Sequence, residues 1–274
     1  MKIDYYLGNA SGNVSAMVVS EVKQEDYKKV NDWLMKENSL IEQVAFIKGF
    51  DQPYTMEMAG LEFCLNATRT FGLMLGKQEG LDKVWIQTSG LEQALLVEVD
   101  VTNNEAKISI DKPLDMQWLS FKGMSYPIVH MNGISHVLIE SETVFDDERI
   151  HQLLDVINHP LSLTDMIGQE RESSFISTRT NIPAIGLMFV NNSLLSMTPI
   201  VYVKETNTLI HEGSCGSGSL AYAYFLNQMT GKSNFDIKQP GGYLKVNVKE
   251  DGTYQLSGPI EISGLYSLSI QVNE

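Results

Sequence analysis

The stretch "HEGSCGSGSLAYAYFLNQMTG", residues 211–231, contains Cys215, one of only two cysteines in this 274-residue chain. Small residues follow the cysteine, and a run of helix-forming residues then ends at Gly231. The stretch "CLNATRTFGLMLG" at 64–76 has the same order of cysteine, apolar helix formers and glycine. The pattern predicts two helices, over 64–75 and 216–230, each beginning at a cysteine and each ended by a left-handed glycine, Gly76 or Gly231. Both are apolar on nearly every face, which is typical of helices buried on all sides.

Strand-like runs surround these two helices. They include "SAMVVS" (15–20), "EQVAFIKGF" (42–50), "KVWIQTS" (83–89), "AIGLMFVN" (184–191) and "PIVYVKE" (199–205). "KEDGTY" (249–254) predicts a hairpin, because Asp-Gly supplies the backbone angles of a tight turn. Amphipathic patterns predict surface helices over 24–38 and 145–160. The chain therefore divides into two similar halves, with a boundary near 112–127, each half having strands, one surface helix and one buried helix.

Composition excludes several classes of function. The formal net charge of −14 argues against a nucleic-acid partner, because phosphate binding needs a basic surface. No run of 18 apolar residues predicts a membrane span, and the first residues lack the apolar core of a signal peptide, so we expect a cytoplasmic protein. Two cysteines form neither a disulfide framework nor a zinc cluster. The five histidines have no metal-ligand spacing and no nucleotide-binding glycine motif is present, so neither metal nor cofactor is expected.

A cysteine at the start of a helix is chemically distinctive. The first-turn N–H groups and the positive end of the helix dipole stabilise a thiolate, and the same N–H groups can hold a carboxylate. Two such sites facing each other would grip one carboxylate and place a thiol on each face of the adjacent carbon. One thiolate would remove a proton from that carbon while the opposite thiol delivers one, which inverts the configuration. Against this stands the common role of free cysteine as a small buried hydrophobe.

Several motifs resemble those of the diaminopimelate epimerase-fold family of cofactor-independent amino-acid racemases and epimerases. Residues 64–69 are similar to the family's CGNGAR motif, residues 214–219 to its ACGSGA motif, Gly12-Asn13 to its GND element and "PGGYLKVNV" (240–248) to its PGG element. The resemblance implies an α+β fold of two pseudo-symmetric halves, each a mostly antiparallel β-barrel-like sheet wrapped around a central helix. It also implies a first half of 1–117 plus a returning C-terminal strand at about 264–274, a second half of 118–263, and an active site in the cleft between them.

Within that family, "SGNVSAMVV", "EQVAFI", "GLEFCLNAT" and "HEGSCGSGS" are most similar to histidine racemases that supply D-histidine for staphylopine-type metallophores. Diaminopimelate epimerases have a Glu-Arg pair where this chain has Thr206 and Asn207, so the distal charges of diaminopimelate would be left unpaired. The resemblance therefore favours L-histidine as the substrate. The alternatives are racemisation of another amino acid, diaminopimelate included, or a non-catalytic amino-acid-binding relative, against which the presence of both thiols argues.

The resemblance implies roles for individual residues. Cys64 and Cys215 are the acid and base, and Asn13 and Asn66 bind the polar head of the substrate. Backbone N–H groups of Gly216, Ser217 and Gly218 bind its carboxylate. Glu42 is the candidate partner of an imidazole side chain, and His211 and Glu212 contact the substrate or tune the thiol. The expected partner is a small amino acid, and since relatives often dimerise we also expect a homodimer.

Overall fold

The structure, a computed structural model, describes residues 1–51, 53–111, 113, 115–158 and 182–269. Four α-helices lie in these ranges: α1 (Tyr27–Glu37), α2 (Leu65–Glu79), α3 (Asp147–Asn158) and α4 (Gly216–Thr230). The two surface helices lie where the amphipathic patterns predict them, and residues 159 and 160 of the second prediction lie outside the described residues. Their apolar stripes pack on the strands while their other faces stay in water.

Seventeen strands lie in the described part of the chain. They are β1 (Lys2–Ala10), β2 (Asn13–Val18), β3 (Gln43–Gly49), β4 (Tyr54–Met58), β5 (Lys83–Thr88), β6 (Leu95–Asp100), β7 (Glu105–Ile110), β8 (Asp115–Phe121), β9 (Met124–Met131), β10 (Ile134–Glu140), β11 (Ala184–Asn191), β12 (Ser196–Val203), β13 (Thr208–His211), β14 (Asn234–Gln239), β15 (Gly242–Val248), β16 (Tyr254–Ser257) and β17 (Ile260–Ser269).

Hydrogen bonding joins these strands into one large, mostly antiparallel sheet. One run of neighbours passes from β17 through β1 to β7, with parallel pairs only at β2–β3 and β4–β5 among its described strands. A second run passes from β8 to β13 and, through β12, to β14, β15 and β16. The pairing of β16 with β7 connects the two runs.

The two cysteine-led helices lie inside this sheet. α2 contacts β1, β5, β6 and β7, whereas α4 contacts β9, β10, β15 and β16, and the two helices also contact each other. Twelve of the fifteen residues of α2 are buried, and α4 is buried from Gly216 to Ala223. Their side chains share one hydrophobic core cluster, so burial of both helices fixes how their N-termini meet.

The first helix does not end where the sequence predicts. Gly76 lies inside α2, and the left-handed residue that ends the helix is Gly80, with φ of 70°. A Cβ at Gly76 would lie 2.5 Å from Cγ1 of Val99 and 2.8 Å from the carbonyl oxygen of Leu81, so this glycine permits close packing against β6. The prediction of Gly76 as the helix end is therefore wrong, whereas that of Gly231, with φ of 69°, is confirmed.

A tight hairpin and a returning C-terminal strand complete the sheet. The β15–β16 hairpin turns at 249–253 with Gly252 at φ of 85°, which confirms the Asp-Gly prediction. β17 pairs antiparallel with β1, from Lys2 with Ser269 to Ala10 with Ile260.

The β8–β9 hairpin lies across the boundary that the sequence predicts near 112–127. None of the described helices is long and apolar enough to cross a membrane.

Candidate active site

Both cysteines are N-cap residues with nearly the same backbone conformation. Cys64 precedes α2 with φ of −125° and ψ of 108°, and Cys215 precedes α4 with φ of −125° and ψ of 113°. Each caps a 15-residue helix that ends in a left-handed glycine. Both thiols thus lie beside the unpaired N–H groups of a first helical turn, a position that stabilises a thiolate or a bound anion, and the Cys64 side chain accepts the Ala67 N–H there.

One cavity is lined by both cysteines. Its wall also includes most of the predicted binding residues: Asn13, Glu42, Asn66, Glu212, Gly216 and Ser217. These residues come from β2, from the position just before β3, and from the first turns of α2 and α4 with the segment before α4. The sheet and the two buried helices therefore converge on a single site drawn from segments some 200 residues apart in sequence.

Cys64 is half-buried and lies between a donor and an acceptor. Its Sγ accepts a hydrogen bond from the backbone N–H of Ala67 at 3.4 Å, and its S–H donates to Oε1 of Gln43 at 3.3 Å. Burial raises the pKa of the Cys64 thiol to about 12, and the nearby charge of Glu212 raises it further, whereas the Ala67 N–H lowers it. The empty cavity therefore favours the protonated thiol.

Cys215 is buried, with 5% of its surface exposed. Its Sγ lies 3.6 Å from the Ser217 hydroxyl oxygen, and its backbone N–H donates to Oε1 of Gln239 at 2.7 Å. Burial raises the pKa of the Cys215 thiol well above its ordinary value and the carboxylate of Glu212 adds to this, while the Gly218 N–H and the Ser217 hydroxyl oppose it. Both thiols thus need added positive charge to ionise near neutral pH.

Glu42 connects the two cysteine-bearing segments. Its Oε1 accepts the backbone N–H of Gly213 at 2.8 Å, and its Oε2 accepts Nδ2 of Asn13 at 2.9 Å. Burial raises the pKa of the Glu42 carboxyl to about 7, although these two hydrogen bonds favour the ionised form. Glu42 therefore titrates in the neutral range while it holds the loop that precedes Cys215.

Asn66 connects the two helix starts directly. Its Nδ2 donates to the carbonyl oxygen of Ser214 at 3.1 Å and to the Ser214 hydroxyl at 3.3 Å, while its Oδ1 accepts from Nη1 of Arg69 at 3.3 Å. The fully buried Arg69 also donates to carbonyl oxygens of Ala106 and Gly258, and burial lowers its pKa to about 10. The amide of Asn66 is thus positioned from both sides by protein groups.

Three carboxyl groups make the cavity acidic. Besides Glu42, its wall contains Glu62 and Glu212, and among the described residues that line it there is no lysine or arginine. Burial raises the pKa of Glu62 to about 7 and that of Glu212 to about 8, the latter also because of the charge of Glu42. Oε2 of Glu62 and of Glu212 is buried without a hydrogen-bond partner among the described residues. The site therefore offers unused acceptors to a cationic ligand.

The remaining wall is largely apolar. Phe63, Ile134, Val201, Val203 and Ile210 line it. Thr206 stands at one of the two positions where diaminopimelate epimerases have a Glu-Arg pair. It is buried, its hydroxyl bonds to the Thr208 hydroxyl at 2.8 Å, and both threonines face the cavity. A ligand side chain at this end of the cavity meets hydroxyl and hydrocarbon groups and, among the described residues, no cation.

Two predicted binding residues are not brought to the cavity wall. His211 is exposed on β13, while Thr208, Ile210 and Glu212 on either side line the cavity. Successive side chains in a strand point to opposite faces, so the His211 side chain points away from the cavity wall. Gly218 does not line the cavity either, and its backbone N–H faces the Cys215 thiol, which it helps to ionise.

Three site residues were not predicted from the sequence. Gln43 and Glu62 line the cavity, and Gln239 binds the backbone of Cys215 and donates to the Ser219 hydroxyl at 3.0 Å. For Glu62 a signal existed, because a lone acidic residue between apolar residues in "GLEFC" is costly unless the site uses it. Gln43 and Gln239 lie at strand ends, and their roles depend on pairings distant in sequence.

The arrangement suits proton transfer at a carbon atom next to a carboxylate. Two helix N-termini can bind the carboxylate and stabilise charge that develops on it. Two thiols are available as acid and base, and the three carboxyl groups can hold cationic parts of the same ligand. In the described part of the chain, no group of three or more histidine, cysteine, aspartate or glutamate side chains is arranged to hold a metal ion.

Comparison with known proteins places the chain among isomerases. A family model described as the histidine racemase CntK N-terminal domain matches residues 2–269. A histidine racemase of Fusobacterium nucleatum is 31% identical over 274 residues, covering 95% of this chain and 94% of that protein.

Solved structures of low identity share the fold. A PhzC/PhzF-type phenazine biosynthesis protein of Clostridium difficile superposes with a TM-score of 0.62 at 13% identity, covering 98% of this chain and 100% of that chain. A hydroxyproline epimerase of Agrobacterium vitis, with bound trans-4-hydroxy-L-proline, superposes with a TM-score of 0.61 at 9% identity. The match covers 97% of this chain and 91% of that chain. At these identities the likeness extends to the fold, a mixed α+β architecture with a large sheet.

Proposed function

The chain belongs to the histidine racemase family and is an isomerase, an amino-acid racemase, and from that premise we propose that it interconverts L- and D-histidine with Cys64 and Cys215 as acid and base. The observation that carries this proposal is the matched position of the two thiols. Each caps a buried helix with the same backbone geometry, and both line one cavity. A binding protein would need the helix N-termini but would have no use for two thiols.

The substrate carboxylate binds at the N-termini of α2 and α4 in this proposal. N–H groups in the first turn of a helix, including those of Gly216 and Ser217 on the cavity wall, are natural anion donors. Proton removal from Cα builds negative charge on the carboxylate oxygens, so the same N–H groups bind the transition state more strongly than the substrate.

The cationic groups of the substrate bind to the carboxyl groups. The α-ammonium and the imidazole N–H groups of histidine match the ionisable Glu42 and the Oε2 atoms of Glu62 and Glu212, which have no hydrogen-bond partner in the described part of the chain. A cation near the thiols also lowers their pKa, which burial alone raises. Substrate binding thereby favours ionisation of one thiol, and the empty cavity keeps both protonated.

The chemical step is a pair of proton transfers. One thiolate takes the proton from Cα, forming an S–H bond as the C–H bond breaks. The opposite thiol gives its proton to the other face of Cα and becomes the thiolate. No proton is gained or lost overall, and the reverse reaction exchanges the two roles.

Diaminopimelate fits this cavity less well than histidine. Its distal carboxylate would approach three glutamates and the Thr206 hydroxyl, with no cation on the described wall to balance it. We propose further that the fold is diaminopimelate epimerase-like, with two pseudo-symmetric halves, and that the D-histidine serves an opine-type metallophore, as the sequence resemblance implies.

The test is exchange of the α-proton in D2O, followed by proton NMR with reductant and EDTA present. The protein would be offered L-histidine and a panel of other amino acids. We expect loss of the histidine Cα–H signal in the wild type. In Cys64→Ser and in Cys215→Ser, we expect the exchange rate to fall on the order of 10²–10⁴-fold.

The outcomes separate the alternatives. Exchange on another amino acid with none on histidine would correct the substrate but keep the two-thiol reaction. Full exchange in either serine variant would refute the acid–base assignment. No exchange on any amino acid, with folded protein and reduced thiols, would favour the binding protein.

A further inference from the structure

A continuous chain of hydrogen bonds runs from the loop before Cys215 to the thiol of Cys64. The Gly213 N–H donates to Oε1 of Glu42 at 2.8 Å, and Nδ2 of Asn13 donates to Oε2 of the same carboxyl group at 2.9 Å. Oδ1 of Asn13 accepts from Nε2 of Gln43, and Oε1 of Gln43 accepts from the Cys64 S–H at 3.3 Å. The chain thus joins both cysteine-bearing segments through four side chains.

The polarity of this chain is fixed by the ionised form of Glu42. An ionised carboxylate can only accept, so Asn13 must present its NH2 group to Glu42 and its carbonyl oxygen to Gln43. Gln43 must then present its NH2 group to Asn13, where it also donates to the Ser15 hydroxyl at 2.8 Å. Only the carbonyl oxygen of Gln43 remains for Cys64, and a carbonyl oxygen can bind the thiol but not the thiolate.

Cys215 has no such acceptor amide among the described residues around its thiol. Its sulfur faces the Ser217 hydroxyl and the Gly218 N–H, which lower the pKa of the thiol, and the carboxyl group of Glu212, whose charge and hydrogen bond raise it. The titratable and charged groups that act on Cys64 are Glu62, Glu212 and Arg69. The two thiols therefore differ in the kind of hydrogen-bond partner that they face, although their helix positions match.

We propose that Gln43 is a positioning residue which, oriented through Asn13 by the carboxylate of Glu42, holds Cys64 as the protonated thiol. The inference rests on the two-thiol function proposed above and concerns the protonation of Cys64 in the free protein.

The orientation can be reversed by an isosteric substitution. In Glu42→Gln, the new amide keeps its oxygen for the Gly213 N–H and presents its NH2 group to Asn13. Asn13 and then Gln43 turn over in response, and Nε2 of Gln43 faces Cys64 as a donor. A donor favours the thiolate, so the Cys64 pKa should fall.

The experiment measures ionisation of Cys64 without substrate. The rate of iodoacetamide alkylation of each cysteine is followed against pH by peptide mass spectrometry. The pH profile of each cysteine is compared only with the profile of the same cysteine in the other variants, so that differences in reagent access between the two cysteines cancel. In Glu42→Gln we expect the Cys64 rate at pH 7.5 to rise about tenfold, which corresponds to a pKa lower by about one. In Gln43→Met, which removes the acceptor, we expect a rise of about three- to fivefold.

Two controls separate polarity from loss of charge. Glu62→Gln removes a carboxyl group that acts on Cys64 from outside the chain, and its effect should stay below about threefold. In the Glu42→Gln/Gln43→Met double variant, the added effect of Glu42→Gln should vanish, because no amide remains to turn over. If Gln43→Met does not fold, the comparison of Glu42→Gln with Glu62→Gln decides alone.

Two results would overturn the inference: an effect of Glu42→Gln no larger than that of Glu62→Gln, or an undiminished effect in the Gln43→Met background. Since the alkylation requires no substrate, these results do not depend on the racemase reaction. Failure of α-proton exchange would refute the proposed function and leave the ionisation profiles as they are.

Discussion

Glu62 should make the free protein less stable at neutral pH than at pH 5. Its side chain is 6% exposed, and burial raises its pKa from an ordinary 4.5 to about 7. Between these values the folded state keeps a proton that the unfolded state releases. Stability therefore falls as pH rises through this window and levels off above about 7.

The magnitude follows from the pKa difference. One pKa step corresponds to about 1.4 kcal/mol, so a rise from 4.5 to about 7 costs about 3 kcal/mol of unfolding free energy by pH 8. Glu62→Gln removes this titration but leaves a buried amide, so its absolute stability is not informative. The informative quantity is the change in stability between pH 5 and pH 8.

The assay is urea unfolding at pH 5, 6, 7 and 8 for the wild type, Glu62→Gln and the exposed control Glu142→Gln. We expect the wild type to lose about 3 kcal/mol more than Glu62→Gln over this range, and Glu142→Gln to follow the wild type. Parallel curves for the wild type and Glu62→Gln would refute the reasoning. They would mean that Glu62 keeps the ordinary pKa of a glutamate despite its burial.

Three further outcomes follow from the packing and the site. Arg69→Lys should lower the unfolding free energy in urea by about 2–5 kcal/mol, because lysine cannot serve all three carbonyl acceptors of the buried guanidinium, and a loss below 1 kcal/mol would contradict this. Gly76→Ala should destabilise by about 1–3 kcal/mol, since the Leu81 carbonyl cannot give way, whereas helix propensity alone predicts a gain of about 1 kcal/mol. The sign of the measured change in unfolding free energy shows whether the steric clash or the helix propensity dominates at this position. His211→Ala should leave kcat and KM for histidine within about twofold, and a tenfold rise in KM would restore His211 to the site.

Local features of the fold could be predicted because neighbours in sequence determine them. A cysteine followed by small residues and helix formers predicts an N-cap, and both N-caps lie where expected. Asp-Gly at 251–252 predicts a hairpin turn, and the hairpin is present. The one misplaced helix end shows the limit, because Gly76 and Gly80 are equally good local stops. Packing against Val99 decides between them.

The site could be predicted in part for a related reason. Cys64, Asn66, Cys215, Gly216 and Ser217 belong to two short motifs, and the structure brings all five to one cavity. His211 belongs to the second motif as well, yet it points away, because strand alternation sends adjacent side chains to opposite faces. Proximity in sequence to a cysteine motif therefore did not by itself identify contact with the cavity.

The sequence by itself determined the elements that depend on local chemistry: two cysteine-capped buried helices, the strands around them and an acidic chain with helix N-termini suited to a carboxylate. Only the tertiary structure decided that Glu42, Glu62 and Glu212 converge on one cavity, and that Gln43 faces Cys64 while Gln239 faces the backbone of Cys215. These contacts are made by residues up to about 200 positions apart, across strand pairings such as β7–β16 and β1–β17. Burial of many side chains at once determines such pairings, and no short stretch of sequence contains that information.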